Sequence, residues 1–439
     1  MDILATEQGS PSILLARAGD AATEPSMARA EAAGAWRAWR TAVDSMDPDQ
    51  IIGLVSEAGL RGRGGAGFPT GSKWRACADQ PGRERFVVAN GFEADPGAQL
   101  DRTLMERDPH AVVEGVALAA YAVGAHQAYI CLRPSATVAV RRLRETIRAA
   151  EEQGLLGTAV LDSGFDLHVE VREISGSFVV GEETVLLRAL ENRRAQPDQR
   201  PPYPTESGLW GKPTVVNNVE TLAAVPWLMA QGAQAFQAVG AEGMAGTTLI
   251  QVTGAVARPG IAEVPMGSSV GSILGLAGVA GTAKAVLVGG PSGGLLPPSE
   301  FDLPMTPERL ARSGAIWGSG SLVVVDERTC LVDLSALMTR YLNDEACGKT
   351  IPCRIGLRRL AEIGERMMTG HPRPTDPELL ADLAADTRAA ALCALESSAT
   401  NPLLSGMRYF GPEFQDHIVR GVCPAGVCQP IRVAAGAAS

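Results

Sequence analysis

Positive charge is what this 439-residue chain is shortest of. Lys and Arg number 39 against 49 Asp and Glu, leaving a net charge of −10 with His neutral. Nucleic acids and anionic membrane surfaces select for clustered cations, so neither is an expected partner. Long apolar runs are missing too. The most apolar stretch, 115–132, is interrupted by His126 and Gln127 and preceded by Glu114, and no direct membrane insertion is expected. The opening MDILATEQGS has no basic stretch followed by an apolar one, so no secretory leader is expected there. Cysteine is scarce: eight residues are too few for a disulfide-stapled secreted scaffold, and a cytoplasmic location is expected. Six of them, Cys330, Cys347, Cys353, Cys393, Cys423 and Cys428, crowd into the C-terminal part, which is how metal ligands are distributed.

What is present is enough for about three domains with their own cores, at 46% hydrophobic and 20% charged residues. Residues 1–45, rich in Ala, Ser, Thr and Glu, read as a flexible leader ending in a short helix near 35–43. From 46 to 238 a helix at 48–57 is followed by apolar runs at 85–89, 127–132 and 167–171. These alternate with helical stretches at 111–123, 136–152 and 183–190, the pattern of a mainly parallel sheet covered by helices. A Pro-dense excursion, 196–204, crosses this region. From 239 to 326 short strands at 247–252, 260–264 and 285–288 and a helix at 270–276 predict a small α+β module. Its segment 289–294, GGPSGG, lacks a following Lys and reads as a turn. From 327 to 439 helices at 331–343, 356–368, 377–391 and 412–419 predict a bundle with the cysteines set into it.

The segment Arg61–Gly71, RGRGGAGFPTG, holds five glycines in eleven residues. Bare backbone lets N–H groups approach a phosphate without an intervening Cβ. Arg63 and Lys73 add positive charge, and Phe68 and Trp74 offer rings for stacking. A flexible linker has no need of that company. Further on, Gly181-Glu182-Glu183-Thr184 reads as a turn opening a helix, where the dipole favours carboxylates.

Residues 59–74, GLRGRGGAGFPTGSKW, closely resemble the FMN-binding loop of the NADH-binding flavoprotein subunit of respiratory complex I and of soluble NAD-linked hydrogenases and formate dehydrogenases. The resemblance continues through 90–102, 181–187, 201–204, 210–222, 347–356 and 393–410, in order, and covers nearly everything after residue 46. It implies an α/β fold: a Rossmann-like FMN/NADH domain, a β-grasp (α+β) module and a C-terminal helical bundle carrying an iron–sulfur site. Carried over by position, Gly62, Arg63, Gly64, Gly65, Lys73, Asn90, Glu93, Gly181, Glu182, Asn217 and Asn218 would surround FMN. Phe68 and Tyr203 would sandwich the adenine of NAD(H), with Asp95, Glu183 and Arg200 nearby. The resemblance departs at Phe92, where an apolar ring replaces a carboxylate beside the flavin. No general acid or base is required, because hydride passes between two bound rings that the protein positions.

In Cys347-Gly348-Lys349-Thr350-Ile351-Pro352-Cys353, with Cys393 forty residues on, thiols are spaced as iron–sulfur ligands are. The family pattern has four Cys, and Thr350 stands in place of the second. A [4Fe–4S] cluster with an unusual ligand, a [3Fe–4S] cluster, and buried thiols without a cluster all stay open. His417, Cys423 and Cys428 have zinc-like spacing, and Cys330 is the candidate fourth ligand. Similar CPAGVC tails occur in the soluble relatives.

The function implied is that of a diaphorase subunit. It would exchange hydride between NAD(H) and FMN and pass single electrons to a small thioredoxin-like [2Fe–2S] subunit. A further iron–sulfur or catalytic dehydrogenase or hydrogenase subunit would complete the assembly. Membership of membrane-attached complex I, and a degenerate flavin-binding scaffold, are the alternatives.

Overall fold

The computed structural model describes residues 1–4, 10–19 and 25–428. The chain forms two compact units. Residues 1–176, 183–250 and 261–268 make the first; 177–182, 251–260 and the chain from 269 onward make the second. The four-part division expected from the sequence is finer than this, since 269–326 and 327–439 share one unit.

The first unit is built on four parallel strands: β1 (Phe86–Gly91), β2 (Gln127–Leu132), β3 (His168–Glu173) and β4 (Thr214–Asn218). Their order is β3-β2-β1-β4, with Asn90 of β1 in register with Cys131 of β2 on one side and Asn218 of β4 on the other. The chain steps outward from β1 to β3 and then returns to the far side of β1. That reversal makes a topological switch point at the carboxyl ends of β1 and β4, where open α/β sheets bind ligands. The helix Pro109–Val123 is buried on nearly every side, starting at an Asp108 cap and ending at left-handed Gly124. A Cβ on Gly115 would lie 2.0 Å from the Leu222 carbonyl oxygen, so glycine is what lets the 219–223 helix pack directly on it.

The expectation of a flexible leader is corrected for the described residues. Leu4 N–H donates to the Ile261 carbonyl at 2.7 Å. Ile13 and Leu14 are buried, as are Trp36 and Trp39 on and before the helix Arg37–Ser45. The buried Glu263 carboxylate accepts from the amides of Ile13, Leu14 and Leu15 at 2.6, 2.8 and 2.9 Å and from the hydroxyls of Ser12 and Thr247. Large apolar side chains and one acidic clasp 250 residues away hold this segment, and composition does not reveal that.

A second sheet contains β5 (Thr247–Gly254), β6 (Gly260–Pro265), β7 (Ala285–Val288), β8 (Gly294–Leu296) and β9 (Ser321–Val325), in the order β8-β7-β9-β5-β6. β9 runs parallel to β5 and antiparallel to β7. Helices Leu331–Glu345, Leu357–Thr369, Asp376–Ala389 and Asn401–Tyr409 follow. The 289–294 turn is buried within this unit. Asn401 Nδ2 donates to the Ser292 carbonyl at 2.9 Å, and Leu295 N–H donates to Ser405 Oγ at 2.9 Å. These bonds tie the 289–296 part of the sheet to the helices, and both lie in the second unit. Among the described residues no helix is long and apolar enough to cross a membrane.

Candidate functional site

The glycine loop lies in the first unit. Gly62 N–H donates to the Phe68 carbonyl at 2.9 Å and Thr70 N–H to the Leu60 carbonyl at 2.8 Å, pinching its ends together. Gly65 has φ +101°, which side-chain-bearing residues rarely adopt. A Cβ on Gly64 would come within 3.2 Å of Asn218 Cβ, so the bare backbone is what seats the loop against the end of β4. Asn218 caps the 219–223 helix through its Oδ1 and donates from Nδ2 to Asp101 at 2.8 Å. Lys73 Nζ donates to the Val216 carbonyl at 3.0 Å and to Glu183 at 3.2 Å, and stands 6.0 Å from the Phe68 ring centre.

Two residues of this segment do other work than expected. Trp74 is fully buried and donates from Nε1 to Asn217 Oδ1 at 2.8 Å, so it anchors the helix Thr70–Ala78 instead of offering a stacking face. The Arg63 guanidinium is buried among main-chain carbonyls of Arg61, Ala245 and Thr247, at 3.1, 2.8 and 3.0 Å. Burial lowers its pKa to about 10, opposed by the Glu220 charge. Its charge serves to lock the loop, and its amide is engaged as well, donating to Thr221 Oγ1 at 2.8 Å.

Glu93 follows β1 in a left-handed conformation, φ +47°, and accepts from the amides of Asp101 and Arg102 at 2.9 and 3.3 Å. Burial of the carboxylate raises its pKa to about 7. Asp101 is pushed well above the carboxylate range by burial and by the charges of Glu93 and Glu220. Burial likewise lifts Glu220 to about 7, while Thr248 Oγ1 and the Leu249 amide donate to it at 2.8 and 3.1 Å. Sequence reading missed Asp101 and Glu220, whose only local signal is an acid in the first turn of a helix. Phe92 is also corrected. It is buried, with the Arg133 guanidinium 4.4 Å above its ring, and belongs to the core. Asn90 Oδ1 accepts from the Phe92 amide at 3.2 Å, and Asp95 sits half-buried in the turn that follows.

Glu183 opens the helix Glu183–Leu190 and bridges Lys73 and Arg200, the latter at 2.9 Å. Phe68 and Tyr203 are each 52% exposed, an unusual state for rings of this size and one that stacking on a planar ligand requires. Gly181 and Glu182 fall in the second unit, at the end of the turn Phe178–Gly181. There the Glu182 charge helps to raise the Cys393 thiol.

Cys347, Cys353 and Cys393 interact with one another in the second unit. Burial pushes Cys353 up to about 12, with the charges of Glu396, Cys393 and Cys347 adding to it. Burial pushes Cys393 up to about 11. The Gly348 amide donates to the Cys353 sulfur and the Glu396 amide to that of Cys393. Thr350 donates its hydroxyl to Glu396 Oε1 and accepts from the Cys353 amide at 3.2 Å. Glu396 is buried, and its other oxygen accepts from the Leu392 amide at 2.9 Å.

Cys330, His417, Cys423 and Cys428, the last three grouped from their spacing and the first added as the candidate fourth ligand, bring their ligand atoms within 4.8 Å of one another. Cys330 Sγ lies 3.3 Å from His417 Nε2 and accepts from the Asp333 amide at 3.4 Å. Burial raises Cys330 to about 11 and raises Cys428 as well. At Cys423 burial is outweighed by amide donation from Cys428 and Val427 and by contact with the Cys428 and Cys330 thiols, and its pKa is lowered.

Residues 55–227 match the Nuo51 FMN-binding domain, and residues 333–417 match the NADH-ubiquinone oxidoreductase-F iron-sulfur binding region. The NADP-reducing hydrogenase subunit HndC of Solidesulfovibrio fructosivorans is 41% identical over 388 residues, which cover 88% of this chain and 79% of that protein. The chain belongs to the family of NADH-binding FMN and iron–sulfur flavoprotein subunits. It is an oxidoreductase subunit of the NADH dehydrogenase type. An NADH-quinone oxidoreductase subunit of Rhizobium meliloti (strain 1021) is 39% identical over 398 residues, 90% of this chain and 94% of that protein. A crystal structure of NAD+-reducing [NiFe]-hydrogenase in the H2-reduced state is similar with TM-score 0.81 and 36% identity, covering 88% of this chain but only 64% of that chain.

The residues fit the two cofactors of the family unequally. The flavin side has its cradle: a glycine backbone that a single Cβ at position 64 would crowd, at the switch point of a parallel sheet. The cluster side offers three thiols and, at the remaining position, a hydroxyl bonded to a buried carboxylate.

Proposed function

We propose that this chain is the NADH-oxidising, diaphorase-type subunit of a soluble, cytoplasmic, multisubunit oxidoreductase. The observation that carries the reading is the glycine loop seated on Asn218 at the carboxyl ends of β1 and β4. In this reading the bare amides of Gly64 and Gly65, with Lys73, hold the FMN phosphate, while Gly62, its amide closing the loop onto Phe68, contributes backbone without a Cβ. Asn90, Glu93, Asn217 and Asn218 line the flavin from the strand ends. Phe68 and Tyr203 stack the adenine of NADH, while Glu183, held between Lys73 and Arg200, and Asp95 orient the dinucleotide. FMN, when bound, accepts a hydride and releases electrons one at a time. The chain supplies position: it holds two rings in register and sets beside them a carboxyl, Glu93, whose pKa desolvation raises to about 7.

Onward electrons would go to an iron–sulfur site at Cys347, Cys353 and Cys393, and to partners of the thioredoxin-like [2Fe–2S] and catalytic dehydrogenase or hydrogenase classes. The Cys330, His417, Cys423 and Cys428 group suits a closed structural zinc site, whose ligand set of three thiolates and one imidazole is common for that ion. The test is anaerobic purification followed by counting FMN and iron per chain and adding NADH. Bleaching of the flavin bands at one FMN per chain is expected. A chain that takes up no FMN on reconstitution, or whose flavin NADH does not reduce, would point to the scaffold instead.

A further inference from the structure

The three thiols leave one corner of a four-iron cluster without a sulfur ligand. The residue at that position, Thr350, is a neutral hydroxyl and a weak iron ligand beside thiolates. It is not alone there. Its hydroxyl donates to Oε1 of Glu396, a side chain only 1% exposed, carried by the start of the helix Ala394–Ser398. Both flanking thiols sense that carboxylate, Cys353 and Cys393 alike. Oε2 is committed to the Leu392 amide at 2.9 Å, which fixes the carboxylate and leaves Oε1 as the atom presented toward position 350.

We propose that Glu396 is the fourth protein ligand of this cluster, with Thr350 positioning its carboxylate through the hydroxyl hydrogen bond. The proposal rests on the reading of the chain as an iron–sulfur subunit. Chemically it requires one Fe–O bond from carboxylate to iron, displacing a water or hydroxide that leaves to solvent, and no electron moves. A carboxylate carries the same formal charge as the missing thiolate, so the cluster keeps the net charge that four cysteines would give it. A hard oxygen donor at one corner sets that iron apart from the other three. Such an iron is held less firmly than a thiolate-bound one, and the corner would be the first to open on oxidation.

The experiment uses the full chain reconstituted anaerobically with 57Fe, read by iron content, Mössbauer spectroscopy and EPR, with bound FMN as the control for folding. The wild type is expected to hold four irons per cluster, one with a distinct Mössbauer doublet. Glu396→Gln is expected to lose one iron in four and show the signal of an oxidised three-iron cluster, with FMN content unchanged. Thr350→Val, which keeps the carboxylate but removes its hydrogen bond, is expected to retain four irons, with the distinct doublet broadened and the fourth iron lost more readily on oxidation. Adding Thr350→Cys to Glu396→Gln is expected to restore the fourth iron. If Glu396→Gln keeps four irons and the distinct doublet, the ligand is not Glu396; if Thr350→Val leaves the doublet and the oxidative loss unchanged, Thr350 does not position it. A wild type with three irons also overturns the proposal. A wild type that takes up FMN but no iron instead defeats the iron–sulfur reading beneath it, so the two failures are distinguishable.

Discussion

Replacing Arg63 by Lys separates two roles that the glycine loop alone leaves confounded. If the side chain supplied charge to a phosphate, Lys would largely substitute for it. The structure puts the guanidinium elsewhere, on the carbonyls of Arg61, Ala245 and Thr247. One ammonium cannot span three acceptors arrayed for a planar fork, so about two of these bonds are lost. Each hydrogen bond to a charged donor contributes roughly 1.5–3 kcal/mol, which gives a destabilisation of about 4 kcal/mol. For a unit of this size that corresponds to a fall in Tm of roughly 10 °C. The assay is thermal and urea unfolding of the FMN-free chain, followed by the fluorescence of the buried Trp36, Trp39 and Trp74. FMN affinity is titrated in parallel at a temperature where both proteins are folded. A loss of stability with FMN affinity changed less than about threefold is expected, a shift of under 1 kcal/mol. Stability unchanged to within about 1 kcal/mol, with FMN binding collapsed, would put the Arg63 charge on the phosphate and not on the loop.

Three further outcomes are expected. Glu93 and Glu220 both have folded pKa values raised to about 7 from 4.5, so the folded chain binds more protons than the unfolded one between those limits. Stability of the FMN-free first unit should therefore fall as pH rises from 4.5 to 7, and Glu220→Gln should flatten that slope in urea melts across the range. Phe68→Ala or Tyr203→Ala should raise KM for NADH roughly fivefold, with kcat for artificial dye reduction little changed, because stacking contributes about 1 kcal/mol of uniform binding. Zinc should be present at one ion per chain by elemental analysis and lost in Cys423→Ser. Its affinity should climb with pH because burial holds protons on Cys330 and Cys428 that the ion must displace.

Legibility in the sequence followed burial. β1 and β2 are apolar runs covered on both faces, and their hydrophobic continuity alone finds them. β4 escapes, because Thr214–Asn218 is five residues long and closes on two Asn that look like a turn. Yet this strand completes the switch point, and the register of Asn218 with Asn90 builds the rim of the candidate flavin site. The four-residue Cys/His group was readable from spacing, since zinc-like ligand intervals are short and Cys330 opens the adjoining helix. Glu396 was not, because a Glu in the first turn of a helix has an ordinary electrostatic explanation. Arg63 misled for the opposite reason: a cation beside glycines suggests a phosphate, and only the carbonyls of residues 245 and 247 show where it goes.

The Glu263 clasp bears on how the chain is made. Ribosomes deliver the N-terminus first, and the amides of Ile13, Leu14 and Leu15 wait for a carboxylate some 250 residues later. Until then the early segment has no native partner for those three donors. The first unit is thus assembled late, although most of its residues emerge early. A fragment that stops at residue 250, the apparent end of the α/β region, would carry every strand of the parallel sheet and still lack its fastening.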